Sequence, residues 1–145
     1  MPDRCVWCHR SDEPLERIRV ERPAWLPSTV DEEEVVVHPD HEGPVRAFYA
    51  AVRRHGPTAF RLLIRITLFG SLAAVGTAFV LPLLSLGVAV LTLVGIGATL
   101  LRYPFSTPET AQLFGLRRAR QIARGVGVGC VAAGLGLAGW LLALL

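Results

Sequence analysis

Two pairs of metal-ligand residues stand in the first third of the chain. Cys5 and Cys8 are separated by two residues, and so are His38 and His41. A Cys-x2-Cys pair places two thiolates on one tight turn, and histidines at i and i+3 can present two imidazoles from one helical turn. Thiolate and imidazole ligands suit zinc, and four of them close its coordination shell. The spacing therefore predicts a structural zinc site with no catalytic residue.

The residues between and after the two pairs have the patterns of strands and a helix. Residues 15–21 alternate apolar and charged side chains, and residues 34–38 are rich in valine, so we expect the two segments to pair as a β-hairpin. The acidic run over 31–34 is expected in a surface loop between them. After the histidines, Pro44 can open a helix that we expect to end at His-Gly-Pro, residues 55–57.

The order of the predicted elements resembles that of treble-clef zinc modules: the Cys-x2-Cys turn, the hairpin, the histidine pair and the helix. The resemblance covers residues 5 to about 54 and rests on the four ligand-type residues and the order of the elements. It implies a small α+β zinc-binding domain with a structural or protein-interaction role. A segment of about 57 residues buries little surface, so metal binding would supply part of its folding free energy.

Three other interpretations of the cysteine pair stay open. Cys5, Cys8 and His9 also fit the Cys-x2-Cys-His pattern of c-type haem attachment, with His9 as the proximal ligand. The pair could instead serve thiol redox chemistry, although only four residues precede Cys5 where a strand would be expected. In the third interpretation the cysteines are ordinary buried residues.

Charge is distributed unevenly along the chain. Its 145 residues are 52% hydrophobic, and all 15 basic residues are arginine, which gives a net charge of +3. Residues 1–45 hold 5 arginines and 11 acids, whereas residues 46–145 hold 10 arginines and the single acid Glu109. A nucleic-acid-binding module would concentrate arginine on its folded domain. Because the predicted zinc domain is acidic, we expect no nucleic-acid partner.

Long apolar runs predict three membrane-embedded helices. Residues 66–101 form a run of 36 without charge; one helix of that length would measure about 54 Å against a hydrocarbon core of about 30 Å. Pro82 is expected to break the run and give a helical hairpin over 58–101, which could span the bilayer or only dip into it. Residues 125–145 are long enough to span. The fold class is therefore a mainly α membrane protein with an α+β zinc-binding domain over 1–57.

The arginines predict an orientation. Five lie within residues 46–65, before the charge-free run, and five lie between the hairpin and the last helix, whereas the hairpin turn and the C-terminus have none. The positive-inside rule then places the N-terminus in the cytoplasm of a prokaryotic-type cell, with the protein in the inner membrane. Residues 102–124 are expected to form a cytoplasmic amphipathic helix. Its arginines either face anionic lipid or only fix the topology: Arg117, Arg120 and Arg124.

Small residues recur along the last predicted helix. They are spaced by three and four residues, and they form a seam that another helix can approach closely: Gly125, Gly129, Ala132, Gly136 and Gly139. The partner could be the hairpin of the same chain, a second copy or a different subunit. Two functions are then open: a zinc module that binds a cytoplasmic partner at the membrane, and an accessory subunit of a membrane enzyme or transporter that docks through the seam.

Overall fold

A computed structural model describes residues 4–12, 14–21, 32–105 and 113–144, and these are mainly helical. The elements in chain order are strands β1 (Glu16–Glu21) and β2 (Glu32–Val37), a 3-10 turn (Pro39–His41), and helices α1 (Glu42–Ala78), α2 (Pro82–Arg102) and α3 (Leu116–Leu144). The chain divides into two compact units. The first unit comprises Met1–Pro57 and Phe105–Ile122, and the second comprises Thr58–Pro104 and Ala123–Leu145.

The predicted β-hairpin is confirmed. β1 and β2 pair antiparallel, with Ile18 opposite Val35, and both of these side chains are buried because alternate residues of a strand share one face. The loop expected over 31–34 is wrong for residues 32–34, which belong to β2. Pairing with β1 gives these residues ladder hydrogen bonds that a loop would lack, while Glu32 and Glu34 stay exposed. Residues 22–31 lie outside the described part of the chain.

The core of the first unit forms between the hairpin, the start of α1 and the start of α3. Val45, Phe48 and Val52 recur at three and four residues along α1 and therefore lie on one face of that helix. Leu116 of α3 completes the same cluster and is 3% exposed. The buried members are Cys5, Ile18, Val20, Val35, Val37, Val45, Phe48, Val52 and Leu116.

Helix α1 does not end at residues 55–57, which corrects the expectation from the sequence. It continues to Ala78 with Pro57 inside it. Pro57 lacks the N–H that would bond the carbonyl four residues earlier. The apolar residues that follow favour a helix nevertheless, because in a bilayer each backbone group must find its hydrogen bond within the segment.

The expected break at Pro82 is confirmed. α1 ends at Ala78 and α2 begins at Pro82. The turn between them satisfies α1 carbonyls: the Leu81 backbone N–H donates to Thr77 O at 2.8 Å, and the Ser85 hydroxyl donates to Ala74 O at 2.7 Å. This short connection makes α1 and α2 antiparallel neighbours.

The amphipathic segment and the last span belong to one helix. The sequence suggested separate helices over 102–124 and 125–145, but α3 runs from Leu116 to Leu144 without a break. Arginine is a good helix former, so the change from charged to apolar residues does not end the helix. Residues 106–112 of the predicted amphipathic segment lie outside the described residues.

In the described part of the chain, three helices are long and apolar enough to cross a membrane: Pro39–Ala78, Pro82–Arg102 and Leu116–Ala143. Many of their large apolar side chains are exposed, including Phe69 at 65% and Leu91 at 73%. Such surfaces are unfavourable in water and favourable against lipid. The chain is consistent with a membrane protein.

Glycine positions set how the three helices pack in the second unit. A Cβ built on Gly95 would lie 3.3 Å from the Ile66 side chain, and one built on Gly97 would lie 2.6 Å from Gly127 O. A Cβ on Gly134 would contact Val94 at 2.7 Å. From Gly97 back to Val94 on α2, the contacting residue on α3 advances from Gly127 to Gly134. The two helices are therefore antiparallel.

Candidate metal centre

The two cysteines lie on a tight turn, residues 5–8, which we call the knuckle. The His9 backbone N–H donates to Cys5 O at 2.8 Å, and the Cys5 N–H donates to Arg10 O at the same distance. His9 ends the turn with φ +63, a left-handed conformation in which histidine is found more often than most residues. The Val6 N–H donates to Val36 O at 2.8 Å, so the knuckle is attached to β2.

Three of the four predicted ligands come together as a group that could hold a metal ion. The donor atoms of Cys5, Cys8 and His38 all lie within 4.8 Å of one another. His41 is outside that group, but its Nδ1 lies 3.5 Å from Cys5 Sγ. Donor atoms that share one tetrahedral zinc at 2.0–2.3 Å are about 3.3–3.8 Å apart. The separation of Cys5 Sγ and His41 Nδ1 falls within that range.

The elements explain how distant residues converge here. β2 ends at Val37, and the 3-10 turn that follows carries His41 one turn beyond His38, with the His41 N–H bonded to His38 O at 2.8 Å. The histidine pair therefore lies on one short turn, as the spacing predicted. The bond from the knuckle to Val36 brings Cys5 beside the same end of the strand.

The His38 ring is oriented by a second contact. Its Nδ1 lies 3.2 Å from Pro14 O, and because a carbonyl can only accept, Nδ1 carries the proton and donates. Nε2 is then the nitrogen with a free lone pair, which is the arrangement of most metal-binding histidines. The His38 backbone N–H also donates to Cys5 Sγ at 3.4 Å, so the backbone at His38 contacts the knuckle directly.

The two thiols differ in exposure and influence each other. Cys5 is fully buried, whereas Cys8 is partly exposed. Burial raises the pKa of the Cys8 thiol above its ordinary value, and the hydrogen bond and charge of Cys5 raise it further against the lowering effect of a backbone hydrogen bond from Arg10. Cys8 therefore holds its proton at neutral pH until a cation displaces it.

His9 is placed differently from the haem interpretation. Its Nε2 lies 3.2 Å from an Arg4 guanidinium nitrogen, and because a guanidinium only donates, Nε2 accepts. The lone pair that would ligate a haem iron is occupied by this hydrogen bond. The third cysteine, Cys130, lies in the part of α3 that belongs to the second unit.

The knuckle also caps helix α3, a contact that the sequence did not predict. The Leu116 N–H donates to Val6 O at 2.9 Å and the Arg117 N–H donates to Trp7 O at 3.1 Å. These are among the first N–H groups of the helix, which have no partner within it. Gly115 precedes them with φ +78, and a Cβ there would lie 2.9 Å from Trp7 O. The sequence held one signal of this contact, which is the glycine at position 115 directly before a helical pattern.

The basic face of α3 is divided between two environments. Arg117 and Arg124 are exposed. Arg120 is half-buried, and its guanidinium carbon lies 5.8 Å from the centre of the Phe48 ring. A cation over an aromatic face is attracted by the ring quadrupole, and this attraction turns Arg120 toward the core of the first unit.

The small-residue seam does not contact the hairpin of its own chain in the part that the structure describes. α3 packs on α2 through Gly127 and Gly134 instead, and Ala132 of the seam is exposed. A Cβ on any seam glycine would find no described atom within 4 Å: Gly125, Gly129, Gly136 and Gly139. The seam therefore remains available to a second copy or a different subunit.

Comparison of the chain with protein-family models, with curated proteins and with solved structures finds no match.

Proposed function

We propose that the first unit is a structural zinc module in which Cys5, Cys8, His38 and His41 hold the ion. The observation that supports it most is that thiol and imidazole donors from two segments, 33 residues apart, converge within 4.8 Å. The contact between His41 Nδ1 and Cys5 Sγ supports His41 as the fourth ligand. Soft thiolates with imidazoles favour zinc over the hard cations magnesium and calcium.

A structural role follows from the number of ligands. A catalytic zinc keeps one position open for water or substrate, whereas four protein ligands close the shell. The bound ion would hold the knuckle beside the end of β2. Because the knuckle carbonyls of Val6 and Trp7 accept from α3, the same ion would also fix the start of that helix.

We further propose that the module binds a cytoplasmic protein while the helices anchor it to the inner membrane. The arginine bias supports this orientation. The first unit exposes carboxylates on the hairpin and near the metal group: Asp12, Glu16, Glu21, Glu32, Glu34 and Asp40. A partner with a basic surface fits this distribution, since complementary charge steers association.

The experiment combines metal content with recovery of the partner from gently solubilised membranes. Full-length chain and its Cys130→Ser variant should carry one zinc per chain and retain the same co-purifying protein. Cys5→Ser should lose both, because the binding surface depends on the zinc-stabilised fold. Absence of stoichiometric metal from the unaltered chain, or unchanged folding and recovery with Cys5→Ser, would contradict the proposal.

A second candidate function is an accessory subunit of a membrane enzyme or transporter. The observation that favours it is the open space beside the seam glycines. Gly129→Leu with Gly136→Leu should dissociate a complex that is visible on native gels, because large side chains prevent close helix approach. Val128→Leu, on another exposed face of α3, should leave it intact. An unchanged complex with both glycines replaced rejects this function.

A redox role for the cysteine pair, with or without haem, is the least supported alternative. The hydrogen bond between Arg4 and His9 Nε2 argues against an iron ligand there. A Soret band in the purified protein, or cycling of a Cys5–Cys8 disulfide in cells, would replace the zinc proposal.

A further inference from the structure

Strand β1 has an outer edge, on the side away from β2, that no other strand of its sheet covers. The Val6 N–H donates to Val36 O on the outer edge of β2, and Val36 lies opposite Arg17. The two residues of such a pair in an antiparallel sheet direct their backbone groups away from each other. Arg17 therefore directs its N–H and C=O to the outer edge of β1, and so do Arg19 and Glu21, because the direction alternates along a strand.

Most backbone groups on this edge are open. Arg19 O accepts from an Arg46 guanidinium nitrogen at 3.3 Å, which agrees with its outward direction. Within the described residues, no other hydrogen bond outside the ladder with β2 involves the backbone of Arg17, Arg19 or Glu21, and all three residues are exposed. A row of unpaired N–H and C=O groups is a template for a further strand.

Helix α1 lies beside this edge and forms the second wall of a groove. Residues at i, i+3, i+4 and i+7 share one face of a helix. Four residues of α1 with that spacing line a cavity of about 280 Å³: Arg46, Tyr49, Ala50 and Arg53. Residues 19–21 of β1 line the same cavity, together with Glu32 of β2. A strand added to β1 would therefore lie against this face of α1.

The charges of the groove specify the chemistry of such a strand. Both α1 arginines are already paired with carboxylates, whereas Arg19 and Glu32 form no ion pair within the described residues. An antiparallel strand would place one residue opposite Arg19 and the residue two positions earlier opposite Glu21, which itself lies opposite Glu32. Opposite charges in directly opposed pairs are favourable. An acid opposite Arg19 and a base opposite Glu21 would thus balance both unpaired charges.

The residue between this base and acid would lie opposite Val20. Side chains alternate between the two faces of a sheet, and Val20 points into the core of the first unit, where it is 4% exposed. The intervening side chain would be on that same face, beside α1, so an apolar residue suits it.

We propose that an extended segment of a cytoplasmic protein adds to the outer edge of β1, in the groove beside α1, through the residue order base, apolar, acid. This inference rests on the proposed binding of a cytoplasmic protein, and it names the site and the chemistry of one contact. No residue of the groove is a candidate metal ligand, so the zinc proposal stands or falls separately.

The probe is a fluorescently labelled peptide with blocked ends, Thr-Lys-Val-Glu-Val-Thr. Its control, Thr-Glu-Val-Lys-Val-Thr, has the same composition and net charge but the reverse order of charges. Fluorescence anisotropy with the full-length chain in detergent should show about tenfold tighter binding of the first peptide, because two cross-strand pairs change from attractive to repulsive. Equal affinities would overturn the proposal.

A matched pair of variants tests the residue assigned to the acid. Arg19→Glu should remove the preference between the two peptides, because its charge would then repel the glutamate of the first. Arg118→Glu makes the same charge change at an exposed position of α3, outside the groove, and should preserve the preference. An Arg19→Glu protein with the preference intact would contradict the register.

Backbone methylation of the peptide separates strand addition from charge attraction alone. The N–H of the peptide glutamate would donate to the second lone pair of Arg19 O, whereas the N–H of the central valine would point away from β1. Methylating the glutamate nitrogen should abolish binding, and methylating the valine nitrogen should not. Equal effects would overturn the proposal, and so would dissociation of a dimer by the peptide, which would assign the edge to a second copy. A sample with one zinc per chain that binds neither peptide would reject the groove and leave the zinc site standing.

Discussion

Cys5 links the candidate metal site to the core of the first unit. Its side chain is fully buried in the hydrophobic cluster, yet it accepts the His38 N–H and lies near the His41 ring. Burial of a polarisable thiol costs little, whereas burial of a thiolate is costly without a compensating cation. A metal ion in this position would stabilise both the site and the surrounding fold.

His41 and His9 are expected to contribute differently to zinc binding. His41→Ala should lower zinc affinity by at least about 100-fold, since removing a ligand costs more than the 10–100-fold lost with an outer-shell partner. His9→Ala should change it little, because His9 Nε2 bonds Arg4 instead. Competition with a zinc chelator measures both affinities. Equal losses for the two variants would contradict the assignment of His41.

The raised pKa of Cys8 predicts how stability depends on pH. In the metal-free fold, burial favours the neutral thiol of Cys8. Its contribution to the free energy of unfolding is therefore full below the ordinary pKa of 9.0 and is lost as pH rises through the raised pKa of the folded protein. Zinc binding instead requires the proton to leave and strengthens as pH rises. The difference in melting temperature between zinc-bound and metal-free protein should therefore widen from pH 6 to pH 9. A constant or shrinking difference would count against thiolate ligation.

At the residue scale, the sequence was informative about ligand type and spacing. The two thiols of Cys-x2-Cys and the imidazoles of His-x2-His are sufficient to suggest a zinc site. The proton on His38 Nδ1 was not predictable, because the contact with Pro14 O joins residues 24 apart in sequence. The contact of Arg120 with Phe48 was missed for the same reason: it depends on how α3 packs beside α1.

Among the elements, the start of α3 depends on the knuckle. Hydrogen bonds to Val6 O and Trp7 O satisfy N–H groups that would otherwise have no partner. Gly115 permits this close approach, because its φ of +78 is unfavourable for residues with a Cβ. The helix that continues into the apolar segment thus begins on the same turn that carries both cysteines.

Gly115→Ala should therefore destabilise the first unit by about 1–3 kcal/mol, from backbone strain and the clash with Trp7 O. It should also lower zinc affinity, because the knuckle must shift. Gly125→Ala, within the helix that Gly115 precedes, is the control, since a Cβ there meets no described atom within 4 Å. Thermal unfolding in detergent compares the two, and equal melting temperatures would refute the role given to Gly115.

The close approach of α2 and α3 makes a separate prediction. Gly97→Ala should destabilise the second unit by about 1–3 kcal/mol, because its new methyl group would lie 2.6 Å from Gly127 O and force the backbones apart. Gly136→Ala should be neutral in the isolated chain, since its surroundings are open. Resistance to unfolding by a denaturing detergent measures the difference. A Gly97→Ala protein as resistant as the unaltered chain would show that this contact is absent.

The helical hairpin and its break at Pro82 were predictable, since a charge-free run longer than the bilayer must turn. The full length of α1 was not, because Pro57 is a strong local signal for an end and only the apolar residues that follow outweigh it. Periodicity along α3 identified small residues but not the face that packs. Gly127 and Gly134, which contact α2, alternate along the chain with the glycines of the seam, so residue type alone does not separate the two faces.

On the scale of the whole molecule, the net charge of +3 combines two opposite distributions. Residues 1–45 are acidic, and the basic residues concentrate beside the apolar helices. This division explains why a basic chain is not expected to bind nucleic acid. It also predicts that the N-terminus lies in the cytoplasm, because arginine resists translocation across the inner membrane.

The predicted orientation can be measured with a cysteine placed in the hairpin turn. Phe79→Cys, in a chain with Cys130→Ser, should react with a membrane-impermeant thiol reagent added outside intact cells, because a spanning hairpin exposes its turn there. Ser11→Cys in the same background should react only after the cells are opened. Labelling of both positions from the same side would contradict a spanning hairpin with a cytoplasmic N-terminus.

X-ray absorption at the zinc edge of the purified full-length chain tests the central proposal most directly. One zinc per chain is expected, with two sulfur ligands at about 2.3 Å and two nitrogen ligands at about 2.0 Å. Cys130→Ser should leave this spectrum unchanged, because the third cysteine lies in the second unit. A protein without stoichiometric zinc, or a zinc shell of oxygen ligands alone, would contradict it.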